Sequence, residues 1–438
     1  MNPIDETHDA QRRSWVDSAN QPGTDFPIQN LPIGMFSVGG GQSRFGMAIG
    51  NAIFDIGVAL AKGWLTDEAA IAAEAGRGGA LNAVFSLGGM PLRALRRQVG
   101  MLLDANSSMR QTVQDASGEV LHEQSDCVMH LPVRIGNYTD FYAGIFHARA
   151  AGALLTPENP LPDNYKWVPI GYHGRASSVR ASGGTVRRPS GQQPPSDGGK
   201  PTVGPTGRLD FELEMGFYVG AGNALGEPLL IQDAGEHIVG FCLLNDWSAR
   251  DVQRWEMFPL GPFLSKNFGT MVSPWVVTAD ALAPFRVPAM LRDAGDPAPL
   301  DYLLDHRDQR EGGIDVALHV RLQTEHMRQQ ALPAVEILQS NARHLYWTPA
   351  QMLAHHSSGG CNMEPGDLLG TGTISGPTPD QLSSMLELTV AGTRPVMLPN
   401  GEQRGFLEDG DEVVFGGRCQ REGFVSIGFG EVRGRIGA

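Results

Sequence analysis

Glycine punctuates this chain from end to end. There are 56 in 438 residues, about 13% against roughly 7% in ordinary chains. They follow no three-residue period, so a collagen helix is excluded, and they must sit in many tight turns. That favours numerous short strands over a helical bundle: a mainly β fold with minor α. Hydrophobic residues make up 41% and charged residues 19%, which leaves ample material for a buried core and excludes disorder. The length suits two or three domains of about 100–200 residues each.

The 34 basic and 48 acidic side chains give a formal charge of −14. An acidic surface repels phosphate backbones, so neither nucleic acid nor an anionic membrane is an expected partner. Acidic excess can serve solubility alone, or part of it can be gathered around a cation. Cys127, Cys242, Cys361 and Cys419 form no CxxC pair, and reduced buried thiols are expected. The opening MNPIDETHDAQRRSWVDSANQ has no apolar core of a secretory signal. The most apolar stretch, Met47 to Leu65, is interrupted by Asn51, Asp55 and Lys62, which argues against a membrane span. A cytoplasmic location is the expectation.

Residues 1–30 are polar and are expected to be poorly ordered. From Leu31 short apolar runs between glycines suggest hairpins, followed by helices at Thr66 to Glu74 and Pro91 to Asp104. Residues 31–132 therefore read as an N-terminal domain, and 133–438 as a strand-rich catalytic domain. Arg187 to Pro205 is crowded with Pro and Gly and is expected to be a loop. Ile314 to Leu322 alternates as a half-buried strand, and Thr348-Pro349-Ala350-Gln351 opens a helix with a capping box.

Three segments could carry chemistry. In LDFELEMGF, Leu209 to Phe217, period-two alternation places Asp210, Glu212 and Glu214 on one strand face, with Phe211, Leu213 and Met215 on the other. Three acids without an interleaved base repel one another unless solvent or a cation screens them. Asp246 stands at the end of the apolar strand that contains Phe241 to Leu244. Helical residues after it would put Arg250 and Gln253 on one face. In TDFYAGIFH a helix would align Asp140 and His147, a carboxylate for metal and an imidazole for proton transfer. His355-His356 with Cys361 lacks a second pair at zinc-ligand spacing, and no Walker A, G-x-S-x-G or H-E-x-x-H sequence occurs. Asp140, Glu212, Glu214 and Asp246 together suggest a hard, oxygen-loving cation, Mg²⁺ or Ca²⁺. These residues fit a metal-dependent enzyme or a calcium-stabilised binding protein equally.

YTDFY (Tyr138 to Tyr142), VPIGYHGRASS (Val168 to Ser178), LDFELEM (Leu209 to Met215) and NDWSARDVQRWE (Asn245 to Glu256) occur in the order seen in the fumarylacetoacetase family. PLGPFLSKNFGT, SPWVV, GDLLGTGTISG and SMLEL, and NLPIGMFSV in the N-terminal region, extend that resemblance from about residue 30 to the C-terminus. The resemblance implies an SH3-like barrel domain followed by a mixed β-roll catalytic domain, assembled as a homodimer. It implies calcium ligands at Asp140, Glu212, Glu214 and Asp246, and a magnesium site at Asp246 with Lys266 and Thr270. His147 would be the general base, oriented by Glu387. Arg250, Gln253 and Lys266 would stabilise the oxyanion, and Tyr142, Tyr172, Gln253 and Thr373 would contact a small diketo acid. Asp210 has no role in that pattern.

The implied reaction is hydrolysis of a carbon–carbon bond in a 1,3-diketone, yielding fumarate and acetoacetate. The alternative is a related hydrolase or decarboxylase of acylpyruvates or similar oxo acids. Two positions depart from the family pattern: Thr156 replaces an Arg that contacts substrate, and Met257 replaces a Tyr. Losing the Arg removes a bidentate carboxylate partner, for which Arg149 or another basic residue is a candidate substitute.

Overall fold

The computed structural model describes residues 3–195 and 198–437. Its central element is an eight-stranded sheet. Seven strands run in the order Gly171–Gly174, Tyr138–Phe141, Leu368–Gly370, Leu213–Val219, Ile238–Asp246, Thr270–Val272 and Val179–Ala181. Val277–Thr278 also pairs with Ile238–Asp246. The pairs Leu368–Gly370 with Tyr138–Phe141 and Thr270–Val272 with Val179–Ala181 are parallel, and the other neighbours are antiparallel.

Each face of this sheet meets a separate core. Leu213, Met215, Phe217 and Val219 join Leu318, Val320, Phe415 and Val432 of a five-stranded sheet built from the C-terminal strands and Gly184–Arg187. The alternate residues point the other way. Tyr218, Cys242, Leu244 and Val272 pack with Ile33, Met35, Met47 and Phe54 of a second five-stranded sheet in the N-terminal region. Phe211 and Leu213 do lie opposite Glu214, as the alternation predicts. The fold is thus mainly β with some helices. Among the described residues no helix is long and apolar enough to cross a membrane. The cysteines are unpaired; Cys242 and Cys419 are buried and Cys361 is exposed.

Several sequence expectations need correction. Tyr138–Phe141 is a strand, and the helix Ile145–Leu155 begins only after Gly144. The β-prone Tyr, Thr and Phe favour extension over the helical pattern. Leu209 to Phe217 is not one strand: Leu209–Asp210 pairs with Ser248–Ala249, and Leu213–Val219 starts anew in the central sheet. Ile314 to Leu322 is likewise split, between Gly313–Ile314 and Ala317–Gln323. Within Arg187 to Pro205, Ser190–Gln193 and Thr202–Pro205 form an antiparallel hairpin. Gly191 is needed there, since a Cβ would lie 2.7 Å from the Val252 side chain. Residues 196 and 197, within that segment, lie outside the described residues.

Residues 3–30 are placed, not loose. Thr7, His8, Phe26 and Ile28 are buried. His8 Nε2 lies 2.8 Å from the Asp280 carbonyl, and Trp15 Nε1 donates to Leu102 O at 2.9 Å. The buried Arg96 donates to Thr7 Oγ1, to Gln29 O and to Asn30 O. Order here comes from polar contacts to distant backbone, which hydropathy does not register. Deleting residues 1–12 strips Arg96 of its Thr7 partner. It should cost about 1–3 kcal/mol, read as a lower urea midpoint, and an unchanged midpoint would show that the segment adds no stability.

Candidate active site

Four carboxylates converge where strand ends of the central sheet meet. Asp140 is supplied by Tyr138–Phe141, Glu214 by Leu213–Val219, Asp246 by the last residue of Ile238–Asp246, and Glu212 by the break before Leu213. One oxygen from each lies within 4.8 Å of the others, and all four residues are buried. Two oxygens on opposite sides of a Ca²⁺ stand about 4.8 Å apart, given metal–oxygen distances near ~2.4 Å.

The backbone around them leaves room for this. Gly370 sits opposite Asp140 in the sheet register. A Cβ at Gly370 would lie 2.5 Å from Asp140 Oδ1 and 3.1 Å from Glu214 Oε2, filling the space between the acids. Gly372 adopts φ +75°, and its N–H donates to Asp140 Oδ1 at 3.2 Å and Glu214 Oε2 at 3.0 Å. Tyr172, across the register from Asp140, donates its hydroxyl to Asp246 Oδ2 at 2.8 Å and Asp140 Oδ2 at 3.2 Å. Thr270 Oγ1 donates to Asp246 Oδ1 at 3.0 Å.

Charge balance in the cluster is incomplete. Burial, then the neighbouring carboxylates, push the Asp140 and Glu214 carboxyls well above the usual range. Burial also works against ionised Glu212, but Lys266 and Arg250 outweigh it and hold Glu212 below its ordinary value. Lys266 Nζ donates to Asp246 Oδ2 at 2.7 Å and to Glu212. Burial disfavours its charge, yet Asp246 and Glu212 raise its pKa above the usual lysine value. A protonated ammonium has no lone pair, so Lys266 borders a cation rather than ligating it. Glu214 Oε1 is buried without a hydrogen-bond partner. The acids that repel most and the acceptor left over are the features a divalent cation would satisfy.

Arg250 opens the helix Arg250–Glu256 and is buried. Its Nε donates to Asp210 Oδ2 at 2.8 Å and its Nη1 to Glu212 Oε1 at 2.7 Å, while Nη2 is buried without a partner. Nη1 also donates to Gln253 Oε1 at 3.1 Å, one helical turn on, which leaves the Gln253 amide N–H groups free to donate. Asp210 is therefore a positioning residue, not a bystander. Besides Arg250 it accepts the N–H groups of Met385 at 2.7 Å and Leu386 at 2.9 Å. Its place two residues before Glu212 was the available signal. The strand break at Phe211 and Glu212 frees it to pair with Arg250 instead of joining the acid cluster.

Those two N–H groups open the short helix Met385–Leu388, which carries Glu387. Glu387 Oε2 lies 2.8 Å from His147 Nδ1, and both side chains are buried. Ser375 Oγ donates to Glu387 Oε1 at 2.8 Å and Ser384 Oγ to Oε2 at 2.7 Å. Burial opposes the Glu387 charge, but His147 and the serines hold its carboxyl below the ordinary range. Neither serine was visible in the sequence as part of the site. The Tyr142 ring meets His147 edge-on at 5.8 Å. Thr373 is buried in the segment behind Gly144, where a Cβ would lie 2.2 Å from Thr373 O. Thr156 caps the helix of His147 and donates to Gly152 O at 3.3 Å, and Met257 follows the helix Arg250–Glu256. His355 and His356 turn to different neighbours, Tyr302 and Thr139, and gather no zinc ligands with Cys361.

The Fumarylacetoacetase N-terminal family matches residues 29–132, and the Fumarylacetoacetate (FAA) hydrolase C-terminal family matches residues 137–437. The chain is 46% identical to the fumarylacetoacetase of Homo sapiens over 417 residues, covering 94% of this chain and 96% of that protein. It is 42% identical to the fumarylacetoacetase of Arabidopsis thaliana, covering 97% and 98%. A solved fumarylacetoacetate hydrolase from Exiguobacterium antarcticum shares the fold with a TM-score of 0.50 at 16% identity, covering 93% of this chain and 99% of that one.

Two outcomes follow from the geometry. Gly370→Ala should weaken binding of Ca²⁺ or Mg²⁺ by at least ~10-fold, the scale at which disturbed ligand support acts, with the fold retained; calorimetric titration measures it. Glu387 has a depressed carboxyl, so its ionised form stabilises the fold above its ordinary value of 4.5 and that stabilisation is lost as pH falls through the depressed value. The stability gap between wild type and Glu387→Gln should therefore narrow on acidification, and urea midpoints across pH test this.

Proposed function

This chain belongs to the fumarylacetoacetate hydrolase family, and we propose that it hydrolyses a carbon–carbon bond of 4-fumarylacetoacetate to fumarate and acetoacetate, the last step of tyrosine and phenylalanine breakdown. The observation that carries this is the buried His147–Glu387 pair joined by hydrogen bonds, through Asp210 and Arg250, to a buried carboxylate cluster.

The ionised Glu387 accepts Nδ1–H of His147, which fixes the tautomer and leaves Nε2 as the base. Nε2 takes a proton from water as the water oxygen adds to a ketone carbon. The resulting oxyanion needs donors that are already in place. The unpartnered Nη2 of Arg250, the Gln253 amide and the third N–H of Lys266 are such donors. As the tetrahedral centre collapses, the carbon–carbon bond breaks and its electron pair passes to the neighbouring carbonyl as an enolate. The His147 imidazolium returns the proton to that carbon. Tyr142, Tyr172 and Thr373 line the diketone. Asp140, Glu212, Glu214 and Asp246, with Lys266 and Thr270 beside Asp246, would hold a Ca²⁺ or Mg²⁺, which would supply Lewis-acid polarisation of the diketone.

We read the five-stranded N-terminal sheet as the SH3-like barrel of residues 31–132 and the remainder to 438 as the β-roll, with residues 1–30 as an extension whose described part packs on both. A cytoplasmic homodimer is the expected assembly. Exposed Phe258 and Leu260, 71% and 96% accessible, support a protein partner for that loop.

Loss of diketone absorbance on adding 4-fumarylacetoacetate, abolished by chelator, tests the activity. Cleavage of an acylpyruvate with no turnover of 4-fumarylacetoacetate would favour the alternative hydrolase. His147→Ala should lose turnover by about 10²–10⁴-fold, the usual contribution of a positioned base, while its melting temperature still rises on adding Ca²⁺. Near-normal turnover in that variant would sink the mechanism.

A further inference from the structure

Beside the carboxylate cluster lies a cavity of about 410 Å³. Its inner end is formed by Tyr172 and Lys266, which both donate hydrogen bonds to Asp246 Oδ2. Pro262 and Phe263 give it an apolar wall, and Arg175 and Asn267 a polar one. Such a cavity suits an unsaturated carbon chain that starts at the diketone and ends in an anion.

The cations around the site differ in what they are free to bind. Arg250 is held by Asp210 and Glu212, and Lys266 by Glu212 and Asp246. Arg149, a candidate substitute for the Arg missing at Thr156, faces Asp293 at 3.1 Å, and Lys166 pairs with Asp296. Arg175 is different. Its Nε donates to Ser177 Oγ at 2.8 Å, and among the described residues no carboxylate lies within 4.0 Å of its side-chain nitrogens. Ser177 thus steadies the guanidinium by one edge, and the terminal Nη groups remain for an anion. An arginine fork matches a carboxylate in two parallel hydrogen bonds.

We propose that Arg175 binds one terminal carboxylate of the substrate and so restores the anchor that Thr156 does not provide. The diacid then lies with its diketone at the acid cluster and its chain along Pro262 and Phe263. This rests on the diketone hydrolase activity proposed above, and it assigns to that site a specificity for diacids over monoacids.

Arg175→Gln and Arg175→Lys separate charge from geometry, and exposure of Arg175 makes both compatible with folding. The substrates are 4-fumarylacetoacetate and two monoacids, fumarylacetone and crotonylacetoacetate, which each replace one carboxylate by a methyl or lack it. Arg175→Gln should raise KM for the diacid about 10- to 100-fold, as expected for loss of a charge-assisted hydrogen bond, with kcat changed less than about threefold; Arg175→Lys should recover part of it. For the monoacid lacking the anchored carboxylate, wild type and Arg175→Gln should share one KM. An unchanged KM for the diacid, or an equal penalty on both monoacids, overturns the carboxylate anchor alone. No turnover of the diacid by wild type would instead overturn the activity it rests on.

Discussion

Four carboxylates brought within 4.8 Å of one another in a buried site are the constraint to which the rest of this structure answers. Burying even one ionised carboxylate costs several kcal/mol before any pairing, and close like charges add repulsion that a low-dielectric interior magnifies. The protein offsets part of this with Lys266, Arg250, the Gly372 N–H and the Tyr172 hydroxyl. Asp210 also draws on Arg250, so two cations face five carboxylates and negative charge is left over. Burial and then this leftover charge push Asp140 and Glu214 up, while Lys266 and Arg250 outweigh burial at Glu212 and hold it down. A divalent ion would offset the remainder without adding another side chain to a space that Gly370 already keeps clear.

The same cations tie the acids to the base. Arg250 reaches Glu212 with one nitrogen and Asp210 with another, and Asp210 accepts the N–H groups that open the helix of Glu387. Glu387 in turn holds His147. Each link is a charged group or a backbone donor, so the geometry is set by bonds stronger than neutral hydrogen bonds. Movement of Arg250 would displace an acid of the cluster and the support of the base together. Asp210, which touches neither substrate nor divalent ion in the proposed mechanism, is the joint between the two halves.

Much of this site was legible in the sequence, and what was missed has a physical pattern. Alternation in Leu209 to Phe217 reported a strand with its acids on one face, which holds from Leu213 onward, and Asp246 at the end of an apolar run reported an acid at a strand end. The same alternation misled at Asp210, because a strand break is invisible to a rule that assumes continuity. Asp140 and His147 were assigned a shared helix, whereas a strand and a following helix bring them to the site by separate routes. Ser375 and Ser384 fall within the family-like GDLLGTGTISG and SMLEL runs, but nothing local marks their role, since a hydroxyl that braces a carboxylate looks like any loop serine. The ordered N-terminal residues were hidden for a related reason: their partners are carbonyls far along the chain.

The central sheet explains why a region without a proposed catalytic side chain still matters to catalysis. One face of Leu213–Val219 and Ile238–Asp246 rests on the C-terminal core, and the other is sealed by Tyr218, Cys242 and Leu244 against the N-terminal sheet. Were that second face wet, water would screen the cluster, relax the repulsion between Asp140 and Glu214, and weaken the pull of the site on a cation. Water would also compete for Arg250 Nη2, whose worth as an oxyanion donor depends on having no other partner. The N-terminal core thus acts on the chemistry through the dielectric it imposes. Substitutions deep within it, far from any reacting atom, are expected to alter cation affinity and turnover together.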